Sequence, residues 1–281
     1  MLNHNGKFID ESHPKIDNRG LLFGDGVYET VRVLDGKVLF LEDHYFRLMS
    51  SMRIVRMEIP MDFTMEFIEG QFLETARHAG CANSGRVRLT VYRSGSGFYL
   101  PETNEVEWIA SAQRLDTNLY SFSENAYEVE LFKDSYVARQ LLSTIKSTNK
   151  LVNVTANIFA DENGYDNCLL LNDSKNVVEA INGNLFMLTG RKLITPAISE
   201  GCLNGVMRKQ VLALTRKNAD LEVLEDVISP FDLQKADELF ITNVISGIQP
   251  ITKYRKKSYT TALSKDLIGK LNAQIRLGGV V

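Results

Sequence analysis

Cysteine is scarce in this 281-residue chain, and the three present, Cys81, Cys168 and Cys202, form no CxxC pair. Such usage supplies no disulfide framework and fits a reducing compartment. The four histidines (His4, His13, His44 and His78) lack metal-ligand spacing, which speaks against a zinc site. No apolar run approaches the ~20 residues that span a bilayer. The opening Met1-Leu2-Asn3-His4-Asn5-Gly6 holds no apolar signal segment, so a cytoplasmic protein without a membrane partner is expected. Cationic excess is missing too: a net charge of −3 argues against nucleic acid as a partner. Internal repeats, low-complexity tracts and long charge blocks are also lacking. What is there is an ordinary globular mixture, 44% apolar and 24% charged, in a chain long enough for two lobes.

Periodicity places the elements. Asn5-Gly6-Lys7-Phe8-Ile9 reads as an opening hairpin or strand. Val27 to Val33 and Val38 to Phe40 are β-rich runs joined across Leu34-Asp35-Gly36-Lys37. Leu41, Tyr45, Leu48, Met49, Met52 and Val55 mark one face of a helix, and a second helix is expected over Met65 to His78. Strands follow at Arg86 to Tyr92 and Val106 to Ser111, around a loop at Arg93-Ser94-Gly95-Ser96-Gly97. The polar stretch Leu115 to Glu124 is the expected hinge, which divides the chain into a small α/β lobe over 1–118 and a larger lobe over 119–281. The second lobe opens with a strand at Tyr127 to Phe132. Short strands are expected at Cys168 to Leu171, Val177 to Ala180, Leu185 to Leu188, Lys192 to Ile194 and Glu238 to Ile241. Helices are expected over Gly205 to Lys217, from Ser229-Pro230-Phe231-Asp232, and after Ala262. Without regular βαβ alternation, the class is α+β and not a doubly wound sheet.

Five separated pieces carry chemistry. Lys146 follows Leu141, Leu142 and Ile145 and precedes Leu151, Val154 and Ile158 at helical spacing. That pattern sets an amine at the mouth of a helix with buried apolar faces, where desolvation favours the neutral, nucleophilic form. Phe23-Gly24-Asp25-Gly26-Val27-Tyr28 puts two glycines before a strand that presents Tyr28. Arg47 lies on the polar side of an apolar helix and suits bidentate phosphate or carboxylate binding. Glu179 ends an apolar strand before the turn Ile181-Asn182-Gly183-Asn184, and a carboxylate there wants a cationic or N–H partner. Leu203-Asn204-Gly205-Val206-Met207-Arg208 is a loop entering a helix whose N–H groups can hold a phosphate, and Ile241-Thr242-Asn243-Val244 could supply a second set of amides. Each piece alone also has a bland reading: a solvated lysine or arginine, an ordinary tight turn, a loop-edge glutamate.

In this order the pieces resemble the class IV fold of pyridoxal-phosphate enzymes, the group of D-amino-acid and branched-chain aminotransferases and aminodeoxychorismate lyase. The resemblance runs from Asn5-Gly6 to Pro250-Ile251. It implies a two-lobed fold with the cofactor carried by the larger lobe, pyridoxal 5′-phosphate (PLP) as cofactor, and Lys146 as the residue that forms the Schiff base. It matches Glu179 to the pyridine-nitrogen partner, Arg47 to the phosphate arginine, and Leu203 to the position beneath the ring. Val206, Met207, Asn243 and Val244 match the phosphate-holding loops, and Asn184 joins the cofactor contacts. Tyr28 matches a substrate-facing tyrosine, and the loop after Arg93 implies a homodimer.

The branch divides. The Tyr28 and Lys146 segments resemble D-amino-acid aminotransferases, whereas Leu203 to Arg208, Thr242-Asn243 and Arg93-Ser94-Gly95-Ser96-Gly97 resemble the lyase. Phe98 stands near the lyase's second arginine, and the Arg-x-His pair of D-amino-acid aminotransferases is absent. The carboxylate anchor is left among Arg93, Arg139 and Tyr28. The expectation is an aminotransferase acting on a small amino acid and a 2-oxo acid. A lyase that eliminates pyruvate from 4-amino-4-deoxychorismate stands as the alternative, and a catalytically silent PLP-binding protein stands further back.

Overall fold

The computed structural model describes residues 2–9 and 18–277. The chain divides into two compact units, Met1–Asn118 with Ile145–Asn149, and Leu119–Thr144 with Lys150–Val281. Met1 and His13 lie outside the described residues.

In the first unit, Asn-Gly and Asp-Gly steps set the hairpins. Asn5 and Gly6 have positive φ (48° and 83°) between β1 (Leu2–His4) and β2 (Lys7–Ile9), the pattern of a type I′ turn. α1 (Arg19–Phe23) starts at an Asn18 cap. Asp35 and Gly36 repeat the positive-φ pair between β3 (Gly26–Leu34) and β4 (Lys37–Val38). α2 (Leu41–Ile54) and α3 (Met65–His78) precede β5 (Ser84–Arg93) and β6 (Val106–Arg114). The strands make one antiparallel sheet in the order β2-β1-β6-β5-β3-β4. Because strand residues alternate between faces, Val27, Val31, Val87, Leu89 and Val91 share a core with Leu48, Met52, Ile68 and Phe72 of the helices. Each such side chain stabilises the unit by about 1.5–3 kcal/mol on burial.

The second unit runs β7 (Glu128–Val137), α4 (Leu151–Glu162), β8 (Asn167–Asn172), β9 (Val177–Ala180), β10 (Asn184–Thr189) and β11 (Lys192–Pro196). It continues with α5 (Val206–Thr215), β12 (Glu222–Asp226), β13 (Glu238–Asn243), β14 (Gly247–Ile251), β15 (Lys253–Tyr254), β16 (Lys257–Ser258) and α6 (Ala262–Arg276). One five-stranded sheet has the order β12-β11-β10-β13-β14 and the other β16-β15-β7-β8-β9. Mixed parallel and antiparallel pairing with interspersed helices makes the chain α+β.

Two expected features differ. The helix read from Ser229-Pro230 is only a 3₁₀ turn over Asp232–Gln234, because the chain enters β13 four residues later. On α4 the expected buried stripe faces outward: Leu151 is 79% exposed, and Val154 and Ile158 are 51% exposed. A different face is buried, where Ala156 and Ala160, with Val152 and Phe159, pack on Phe132, Cys168 and Leu170. Two alanines let the helix backbone approach the sheet closely, which a leucine stripe would prevent. Among the described residues, no helix is long and apolar enough to cross a membrane.

Candidate active site

Lys146 is not at a helix mouth; it sits in an extended segment paired to the start of β3. The Tyr28 N–H donates to the Lys146 carbonyl (2.8 Å), Thr148 N–H donates to the Gly26 carbonyl (2.9 Å), and Val27 bridges Ser147. Thr148 Oγ1 and Asn149 Nδ2 both donate to the Gly24 carbonyl (2.7 and 3.1 Å). This approach accounts for the two glycines. Gly24 has φ +62°, and a Cβ there would lie 2.5 Å from Asn149 Oδ1. A Cβ on Gly26 would press on the Val91 carbonyl and the Thr148 side chain. Ile145, next in sequence, is buried in the unit's core and anchors the segment.

Successive residues of β3 face opposite sides of the sheet, and two clusters result. On the side away from the helices, Lys146 Nζ lies 4.6 Å from the centroid of the Tyr28 ring, and the Arg88 guanidinium carbon lies 3.9 Å from the same centroid. Burial pushes the Tyr28 phenol up, against the pull of Arg88, and burial likewise lowers Arg88. On the helix side Glu29 is buried. Its carboxylate accepts from Arg47 Nε (2.7 Å) and Nη2 (2.6 Å), and Oε2 meets His44 Nδ1 at 2.7 Å. Burial alone would raise Glu29, but the charge and hydrogen bonds of Arg47, with His44, hold it down at about 2. Burial lowers His44, despite the bond to Glu29. An ionised Glu29 therefore accepts a hydrogen bond from the Nδ1–H of a neutral imidazole.

In the second unit, Glu179 sits on β9 and accepts the Leu203 N–H (2.9 Å), while Asn184 Nδ2 donates to the Leu203 carbonyl (2.8 Å). The loop before α5 is thus clipped from both sides of one residue. The clip explains Gly205, where a Cβ would fall 2.0 Å from Asn184 Oδ1. α5 then begins at Val206 and Met207 with no side-chain cap and no acidic residue in its first turn. The amides of this first turn are suited to an anion. Asn243 Oδ1 accepts from the N–H groups of Ile245 and Ser246, and Tyr120 Oη donates to the Val244 carbonyl, which fixes the β13–β14 turn. Cys202 beside the loop is buried, and burial with the Glu179 charge pushes its thiol up to about 12.

The two other arginines considered as carboxylate anchors have structural occupations. All three guanidinium nitrogens of Arg93 are engaged: with Asp25 (3.0 Å), with the carbonyls of Val55 and Arg56 (2.6 and 3.0 Å), and with Asn104. Arg139 is on the surface of the second unit, paired with Asp173 at 2.7 Å. Sequence reasoning passed over Glu29, His44 and Arg88. Glu29 had a signal: a carboxylate amid the apolar run Val27 to Val33 needs a partner, and His44 and Arg47 are one helical turn apart. Arg88 had none, since alternating Arg86-Val87-Arg88-Leu89 reads as a half-exposed strand. Among the described residues no group of three or more His, Cys, Asp or Glu is placed to hold a metal ion.

Comparison with known proteins adds the kinship. Residues 26–254 match the family model for amino-transferase class IV. A Methanocaldococcus jannaschii protein provisionally named a branched-chain-amino-acid aminotransferase is 33% identical over 88% of this chain and 85% of its own. The D-alanine aminotransferase of Listeria monocytogenes serotype 4b is 31% identical over 84% and 81%. Among solved structures, the 4-amino-4-deoxychorismate lyase of Pseudomonas aeruginosa superposes with a TM-score of 0.81 at 25% identity, covering 98% of each chain.

Proposed function

Because the chain belongs to the class IV aminotransferase family, we propose that it is a PLP-dependent aminotransferase moving an amino group between an amino acid and a 2-oxo acid. The observation that carries the reading is the setting of Lys146, whose backbone is locked to β3 while its amine stands over the Tyr28 ring. A lysine fixed at its main chain, with its amine beside the ring of Tyr28, suits covalent attachment followed by proton transfer.

The residues fit the group. In the first unit Lys146 is its attachment point and Arg47, oriented by Glu29, contributes to phosphate binding. In the second, the uncapped start of α5 offers the amides of Val206 and Met207 to the phosphate. The Asn243-Val244 turn adds to these contacts. Glu179, held by the Leu203 N–H, is suited to keep a proton on the pyridine nitrogen. Leu203, clipped by Asn184, would lie beneath the ring. When bound, PLP supplies an electron-withdrawing ring that takes up charge from the substrate Cα. Nζ of Lys146 would remove the substrate's Cα proton and hold it for return. Tyr28 faces the substrate.

A cytoplasmic homodimer completes the proposal. The three free, buried thiols support the location. The dimer has support in a patch of the first unit where Leu21, Leu22, Phe98, Tyr99 and Leu100 are exposed together with Phe23.

Titration of the purified protein with L- and D-amino acids, followed by absorption, tests the function. An aminotransferase converts its visible band to a near-ultraviolet one, and a 2-oxo acid restores it. A visible band that no amino acid bleaches favours the second reading, 4-amino-4-deoxychorismate lyase, which has support in the Pseudomonas similarity and the loop from Leu203 to Arg208; pyruvate release would then be measured. Borohydride reduction without a cofactor adduct on the Lys146 peptide rules out both.

A further inference from the structure

The ring of Tyr28 stands between two cations that nothing in the proposed chemistry connects. Tyr28 pairs with Thr90 across β3 and β5, and Thr30 pairs with Arg88, so Arg88 lies diagonal to Tyr28 on the same face. At 3.9 Å from the ring centroid, the guanidinium is at stacking distance. Arg88 Nε donates to Thr90 Oγ1 (3.2 Å), which fixes the plane of the fork against the sheet. Arg88 is half-buried, and no carboxylate contacts it among the described residues. The Tyr28 π-face offsets part of its cost of desolvation. The same ring receives Lys146 Nζ at 4.6 Å, inside the range where a π-face attracts an ammonium. The Tyr28 N–H donates to the Lys146 carbonyl, so ring and amine project from neighbouring residues of one paired backbone.

We propose that Tyr28 is a π-seat for the Lys146 amine, and that Arg88 is the positioning residue that pins the ring. This rests on the reading of Lys146 as the cofactor's attachment point. The seat matters when the lysine is released from the cofactor. A lysine side chain has four rotatable bonds, and the ring narrows the positions its amine takes on the sheet face, ready for proton transfer. Arg88 serves the seat by its planarity, because a ring stacked on a guanidinium keeps its face turned.

Pulsed acylation tests this without cofactor. Protein stripped by hydroxylamine and dialysis is given a short pulse of acetic anhydride at pH 8, and modification of Lys146 is quantified by mass spectrometry against the exposed Lys37 and Lys175. A cation–π contact worth about 0.7–1.4 kcal/mol protects the amine, so Tyr28→Leu is expected to speed acylation of Lys146 about 3- to 10-fold relative to those standards. Tyr28→Phe keeps the ring and stays within about twofold of wild type, and it also reports that the fold tolerates change there. Arg88→Lys, which keeps the charge and loses the plane, gives an intermediate rate. A Tyr28→Leu rate equal to wild type overturns the seat, and so does a Tyr28→Phe rate equal to Tyr28→Leu. Unchanged acylation in Arg88→Lys, with a raised KM for the amino acid alone, overturns the pinning role and assigns Arg88 to the substrate. A failure of the PLP reading appears separately, as absence of a borohydride adduct on Lys146 while the acylation pattern stands.

Discussion

Replacing Glu29 with glutamine isolates the buried charge cluster of the first unit. The carboxyl stands at about 2 against an ordinary 4.5, and a fall of that size is worth about 3 kcal/mol of stability. Since the folded value is the depressed one, this contribution is complete above about pH 4.5 and is lost as pH falls toward 2. Glutamine offers one acceptor where Arg47 and His44 use two oxygens, and its amide donors would face the donors of Arg47. At pH 7, Glu29→Gln is therefore expected to unfold about 3 kcal/mol more easily, within the range for uncovering a buried charge. The assay is urea denaturation of wild type and variant at several pH values. The gap between them should close below pH 4.5, because protonated glutamate resembles glutamine. A gap below 1 kcal/mol at neutral pH, or one of constant size down to pH 3, would refute the reasoning and leave Glu29 a spectator. The same variant should also weaken PLP binding, since Arg47 loses its orienting partner.

Three further outcomes follow from the packing. Gly205→Ala forces a Cβ onto Asn184 Oδ1 and should cost about 2 kcal/mol by thermal melting; Asn184→Ala in the same chain should recover part of that loss, and strict additivity would contradict the clip. Arg93→Met should destabilise by about 2–4 kcal/mol, because it leaves two backbone carbonyls unpaired and Asp25 with Arg19 alone. If it instead leaves the melting temperature alone and raises only the KM, Arg93 belongs to the substrate. The three thiols are buried, and burial holds Cys168 at about 11 and Cys202 at about 12. They should stay silent to Ellman's reagent at pH 8 in the native protein and titrate as three only in denaturant; fast native reaction of Cys202 would falsify its placement beside Glu179.

Local signals were legible in the sequence wherever the cause was local. The Asn5-Gly6 and Asp35-Gly36 turns need only two residues of positive φ, and the helix over Met65–His78 needs only its own periodicity. Lys146 was identified from the order of motifs, but its setting was misread. Its neighbours have helical spacing, and what overrides that spacing is a backbone ladder to Gly26 and Tyr28, more than a hundred residues earlier. The same holds for Arg93, whose partners Asp25 and Val55 come from distant turns. Arg88 is the clearest case, because its meaning depends on cross-strand register, which no single strand encodes.

The five residues Ile145–Asn149 belong to a unit that the rest of their neighbourhood does not. The chain therefore enters the second unit, returns to the first for one short stretch, and leaves again. No single scission can separate the units with their parts intact. A fragment ending at Asn118 would leave the first residues of β3 paired with β5 alone and would lack Lys146, the proposed attachment point, altogether. Attempts to recombine halves from related enzymes meet the same obstacle: a crossover at the apparent hinge transfers the sheet while leaving its lysine behind in the other parent.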